Sequence, residues 1–253
     1  MAERDRQNNE GLLALIDVDR CVLNTEYFFK MSIATIETMG VSSDTINEVI
    51  TLEAQNRGNA FDFIAELEQR CPELELSVSH IMEKMLAQYS DIKAFRSKIL
   101  ANGALEFIET VRHTGAQGIF LTAGGIKTQT LKLTVVTVLL GREAALPWII
   151  IRNSDQRKTE LALEAYDENT HLFDYATLLR YAVASSGVKQ LESARVDDVM
   201  VFDDKVQNVR PVGSSHVTGI LIQRAEFPSD EGDYIDLSTA AERLRVHNTN
   251  NNM

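Results

Sequence analysis

Five short apolar runs constrain the fold of this chain more than any other feature: LLALI (12 to 16), GIFLT (118 to 122), WIII (148 to 151), VMVF (199 to 202) and TGILIQ (218 to 223). Segments long enough for helices separate them. Continuous runs of Ile, Val, Leu and Phe read as strands covered on both faces, as in a mostly parallel sheet with helices on either side. The expected fold class is therefore α/β, with a doubly wound, mostly parallel, Rossmann-like sheet. TLKLTVVTVLL (130 to 140) is rich in β-branched residues, yet it follows GIFLT, where a parallel neighbour demands a crossover, and it is read as a helix.

The first two runs are about 100 residues apart, and apolar residues between them recur at helical spacing. Val78, Ile81, Met82, Met85, Leu86 and Tyr89 make one amphipathic stripe, Phe61, Ile64 and Leu67 a second, and Ile46, Val49 and Ile50 a third. This predicts an α-helical insert over 25–100, planted in the loop after the first strand, with Tyr27, Phe28, Phe29 and Lys30 either lining the mouth beyond that strand or forming the first turn of a buried helix. The core then comprises 10–24 plus 101–246 and resumes on a helix carrying Leu105, Ile108 and Val111. Thr239 and Glu242 have capping-box spacing for a last helix ending near Val246. Residues 1–9 and 247–253 read as disordered tails.

Composition narrows the function classes. A formal net charge of -12 repels a nucleic-acid backbone, and no Lys/Arg cluster rises above that background. The apolar runs are far short of the ~20 residues that span a bilayer, and MAERDRQNNEG is polar where a signal peptide carries its apolar core. A cytoplasmic protein without membrane or nucleic-acid partners is expected, acting on a small molecule. Cys21 and Cys71 are too few for a disulfide framework, and the five histidines lack metal-ligand spacing.

In an open α/β sheet the binding crevice lies beyond the carboxyl ends of the strands, so the residues closing each run matter most. The first run ends in Asp17 and Asp19, the second in Thr122, the fourth in Asp203 and Asp204. Four carboxylates at one mouth repel each other unless a divalent cation sits among them. All-oxygen ligands suit Mg²⁺, which commonly shares its site with a phosphate. GGIKT (124 to 128) is not a phosphate-cradling P-loop, because Ile126 stands where that motif needs glycine.

The segments LLALIDVDRCV, GIFLTAGG and VMVFDDKVQN, in that order, resemble the haloacid dehalogenase superfamily of phosphatases. The resemblance covers the core, about two-thirds of the chain, and makes the helical insert a cap by position and length. It implies a Mg²⁺-dependent phosphomonoester hydrolase acting on a small phosphorylated metabolite. Asp17 would be the nucleophile that forms an aspartyl-phosphate, and Asp19 the general acid and base. Thr122 and Ala123 would hold the phosphoryl oxygens. Asp17, Asp19, Asp203 and Asp204 would hold Mg²⁺, with Asn208 supporting them. An aspartate at position 19 favours ester hydrolysis over dehalogenation. A lysine should neutralise nucleophile and phosphate, and Lys158 stands in the right topological place, although about twice as far from Asp203 as the pattern has it. An insertion such as AYDENTHLFDY (165 to 175) accounts for the extra length, and Lys127 is the alternative. Cys21, where the family has threonine or valine, reads as packing. A phosphoryl transferase or mutase of the same fold and a non-catalytic phosphate- or partner-binding protein remain open as alternatives.

Overall fold

The computed structural model describes residues 11–56, 61–88, 91–141, 144–152, 157–188, 193–222 and 235–251. Tyr89 and residues 1–9, both part of the sequence reading, lie outside them, as do the side chains from position 247 onward.

The five apolar runs, the fifth as far as Leu221 with Gln223 outside the described residues, lie in the strands β1 (Gly11–Ile16), β2 (Gln117–Ala123), β3 (Trp148–Ile151), β7 (Ser193–Asp203) and β8 (Val217–Leu221). They pair in parallel in the order β8, β7, β1, β2, β3. Side chains alternate across the sheet, and both faces are dry. Leu13 and Leu15 pack with Ile119, Leu121 and Val199 on one face. Ala14 and Ile16 pack with Phe107, Phe120 and Phe202 on the other. Two-sided burial is the physical reason these runs are continuously apolar.

Among the described residues six helices lie between β1 and β2, and the first five are α1 (Thr25–Thr38), α2 (Ser43–Gln55), α3 (Phe63–Arg70), α4 (Val78–Ala87) and α5 (Ile92–Ile99). Each of these five begins on an Asn, Ser or Asp whose side chain accepts a backbone N–H of the first turn, so the starts are locally encoded. The stripes bury Ile46 and Val49 in α2, Ile64 and Leu67 in α3, and Ile81 and Met85 in α4. The chain leaves and re-enters the core side by side: Asn24 N donates to Ile99 O at 2.7 Å and Ala101 N to Val22 O at 2.8 Å.

After the insert, α6 (Ala104–His113) leads into β2, and α7 (Ile126–Leu140) is the crossover helix expected from its place in the chain, despite its β-branched content. It packs on β3 from one side and on α3 and α4 of the insert from the other. Between β3 and β7 the chain carries the extra length that AYDENTHLFDY only partly accounts for. That stretch forms α8 (Lys158–Ala165), a hairpin of β4 (Tyr166–Asp167) and β5 (Leu172–Asp174), α9 (Tyr175–Leu179) and the antiparallel edge strand β6 (Ala182–Ser186).

The last helix, α10 (Leu237–Asn251), departs from expectation at both ends. Asp236, not Thr239, caps it, accepting the Thr239 N–H at 2.7 Å. It also continues past Val246, since NTNN contains neither proline nor glycine to stop it. Among the described residues no helix is long and apolar enough to cross a membrane.

Candidate active site

β1 ends at Ile16, and Asp17 still follows the sheet, its N–H donating to Phe202 O at 2.8 Å. In an extended chain Asp17 and Asp19 would point to one side, because side chains alternate, but the extended geometry stops there. The chain curls through a turn in which Val22 N and Leu23 N both donate to Val18 O and Arg20 takes a left-handed φ of 60°. The two carboxylates thereby enter different surroundings.

Asp17 is buried and faces Lys158, the first residue of α8, whose Nζ is 2.6 Å from Asp17 Oδ1 and 2.6 Å from Asp203 Oδ2. Asn208 Nδ2 also donates to Asp203 Oδ2 at 3.0 Å, and Lys205 N donates to Oδ1 at 2.8 Å. Burial pushes the Asp17 carboxyl up to about 6; Lys158 opposes this, while the charges of Asp203 and Asp19 add to it. Asp204 is pushed up to about 7 by burial and by Asp17 and Asp203. Lys158 is raised, because the two carboxylates outweigh the cost of burying its cation.

The donor set here fits a divalent cation. Asp17, Asp203 and Asp204 each offer an oxygen, all within 4.8 Å of one another. Asp204 Oδ1 is buried without any hydrogen-bond partner, an arrangement that costs free energy unless something else satisfies it. An all-carboxylate set suits a hard cation of the Mg²⁺ type.

The side chain of Asp19, expected among the metal ligands, is not part of that triad. Both of its oxygens are taken. Lys132 Nζ lies 2.7 Å from Oδ1 and 3.0 Å from Oδ2, Thr25 Oγ1 donates to Oδ1 at 2.9 Å, and Gln129 Nε2 donates to Oδ2 at 2.9 Å. Burial acts to raise this carboxyl, but the Lys132 cation and the three donors prevail and hold it at about 2. Lys132 and Gln129 were not foreseen. The available signal was a lysine inside an apolar helical run, three residues after a glutamine and so on the same face.

Thr122 and Ala123 close β2 at the same mouth. Thr122 is buried with its hydroxyl donating to Gln129 Oε1 at 3.3 Å, and Ala123 O accepts from Gln129 Nε2 at 3.2 Å. Lys127, the alternative phosphate-binding lysine, points elsewhere and pairs with Glu68 of α3 on the surface. Of the two candidates only Lys158 touches Asp17. Cys21 is fully buried, and burial raises its thiol well above the usual range, as befits packing.

Known structures share this architecture. A protein described as a haloacid dehalogenase-like hydrolase from Burkholderia xenovorans LB400 aligns with a TM-score of 0.51 at 15% identity, over 92% of this chain and 95% of that one. A HAD phosphatase from Thermococcus onnurineus aligns with a TM-score of 0.51 at 18% identity, over 92% and 97%. The chain has the haloacid dehalogenase fold. No protein-family model and no curated protein matches the sequence.

Proposed function

We propose that this protein is a Mg²⁺-dependent phosphomonoester hydrolase acting on a small phosphorylated metabolite through an aspartyl-phosphate. One observation carries the reading: a buried carboxylate at the end of the central strand, held by Lys158 and flanked by two more carboxylates, one with an unsatisfied oxygen.

Asp17 attacks phosphorus, and the alcohol leaves as the phosphoryl group transfers to Oδ1 or Oδ2. A carboxylate nucleophile divides one difficult hydrolysis into two easier steps. Lys158 orients Asp17 and offsets the charge gathered around it. The Thr122 hydroxyl and the backbone after it hold phosphoryl oxygens. Asp19 stands beside the leaving group as a carboxylate, relaying the proton of the substrate monoanion to the departing oxygen and later taking one from the water that cleaves the aspartyl-phosphate, a role typically worth about 10²–10⁴-fold. Asp17, Asp203 and Asp204 hold the cation, which when bound neutralises charge on the transferring group.

The test is phosphate release from a panel of small phosphate esters with Mg²⁺ or with EDTA, comparing the wild-type protein with Asp17→Asn. Activity requiring both metal and Asp17 is the expected result. Activity surviving Asp17→Asn overturns the reading, and phosphorylated product without free phosphate points to a transferase instead.

A further inference from the structure

We propose that Lys132 is a positioning residue for the reaction, holding Asp19 against the leaving group through a set of donors built on α7. The proposal rests on the reading that Asp19 handles the leaving-group proton.

Lys132 and Gln129 are both buried, on a helix whose neighbouring residues Leu131, Leu133, Val135 and Val136 are fully apolar and buried too. A cation in such a place is costly unless it is paired, and its partner is Asp19, gripped through both oxygens. Gln129, one turn earlier, completes the grip and ties it to Thr122 and Ala123, so the three proposed contacts to the reacting group share one hydrogen-bonded unit. Thr25 supplies the remaining donor from α1, and its own hydroxyl oxygen accepts from Arg20 N at 2.9 Å. From the insert, Glu53 of α2 also feels the charge of Lys132. A carboxylate at the end of an irregular turn would otherwise sample several rotamers. Four contacts from three side chains leave it one, and fixed orientation is what an acid–base group needs.

Such a role predicts a dependence on leaving group that a purely structural role does not. Protonation matters for a poor leaving group such as the alkoxide of β-glycerophosphate, and little for the phenolate of p-nitrophenyl phosphate. The quantity to compare is kcat/KM, which reports the steps through departure of the alcohol and excludes later cleavage of the aspartyl-phosphate. Lys132→Met should lower kcat/KM for β-glycerophosphate at least about 10-fold more than for p-nitrophenyl phosphate. Asp19→Asn should show the same bias more strongly, and Lys132→Arg should recover part of it. Gln129→Met, which keeps the volume of the side chain, should show a weaker bias and serves if Lys132→Met does not fold.

Equal losses on both esters, or no loss, overturn the proposal. So does a bias in Lys132→Met that Asp19→Asn lacks. A wild-type protein whose turnover survives Asp17→Asn instead brings down the reading beneath it, a separate outcome of the same assay.

Discussion

Asp17 and Asp19 are two residues apart, the first buried and the second partly exposed, and they are pulled in opposite directions. The first is raised to about 6 and the second lowered to about 2. Each has a lysine, so pairing alone does not explain the divergence. Lys158 is divided between Asp17 and Asp203, with Asp204 close by, leaving more negative charge than the single cation offsets. Lys132 spends both contacts on Asp19, and Gln129 and Thr25 add neutral donors. Burial acts to raise both carboxyls, and the charges and donors around each decide whether that rise stands or is reversed. The Asp17 side is a frustrated cluster with an unsatisfied oxygen and a donor set that fits a cation; the Asp19 side is complete as it stands.

The sharpest way to break this comparison is to remove each lysine in turn. Lys158→Met leaves two buried carboxylates uncompensated and should cost about 3–5 kcal/mol of stability at neutral pH, the usual penalty for stripping one partner from a buried ion pair. Urea unfolding measures it, and the cost should shrink below pH 5, where Asp17 accepts a proton instead. Lys132→Met should cost less, because Gln129 and Thr25 remain on Asp19. A larger loss for Lys132→Met would mean the frustrated side has been misassigned.

Proton linkage gives a second contrast of smaller size. Asp17 and Asp204 bind protons more tightly folded than unfolded, so the stability they contribute is fully present below about pH 4 and is lost as pH rises through about 6 and 7. Asp19 has the opposite sign: its contribution is present above about pH 4 and is lost as pH falls through about 2. A divalent cation held by the triad would bind its deprotonated form, so added Mg²⁺ should raise the melting temperature more at pH 8 than at pH 5. Equal shifts at the two pH values would remove the triad as its site.

The frustrated half was legible in the sequence; of the completed half Asp19, Thr122 and Ala123 were legible, and Lys132, Gln129 and Thr25, which hold Asp19, were not. Acids closing LLALI and VMVF announce themselves, because a parallel sheet buries what precedes them and exposes what they face. Lys158 was harder to place. The β4–β5 hairpin, α9 and the edge strand β6 separate it from Asp203, and a short strand such as AVASS carries too little apolar pattern to be recognised. Lys132 was hidden for a different reason. Its run was weighed only as helix or strand, and a lone charge on a helix is ordinarily solvated. Its burial depends on Asp19, 113 residues away in the chain, and on the contact of α7 with α3 and α4, both of them long-range facts.

That contact supplies the gentlest test of the comparison. Asp62, which caps α3 by accepting the Ala65 N–H at 3.3 Å, also caps α7 across the boundary. Its carboxylate accepts the amides of Lys127 at 2.7 Å and Thr128 at 3.1 Å, and the Thr128 hydroxyl at 2.9 Å. Gly125 is part of the fit, since a Cβ there would lie 2.3 Å from Asp62 Cα. Lys158 stands on α8, outside this joint, so Asp62→Ala should disturb the Asp19 side and spare the Asp17 side. The expected stability loss is about 1 kcal/mol, typical of a lost N-cap, with faster hydrogen exchange at Lys127 and Thr128. The Mg²⁺-induced rise in melting temperature should stay unchanged, because no ligand of the triad rests on α7. If that rise also falls, the two halves of the site share their support, and the independence of Asp17 from Asp19 is lost with it.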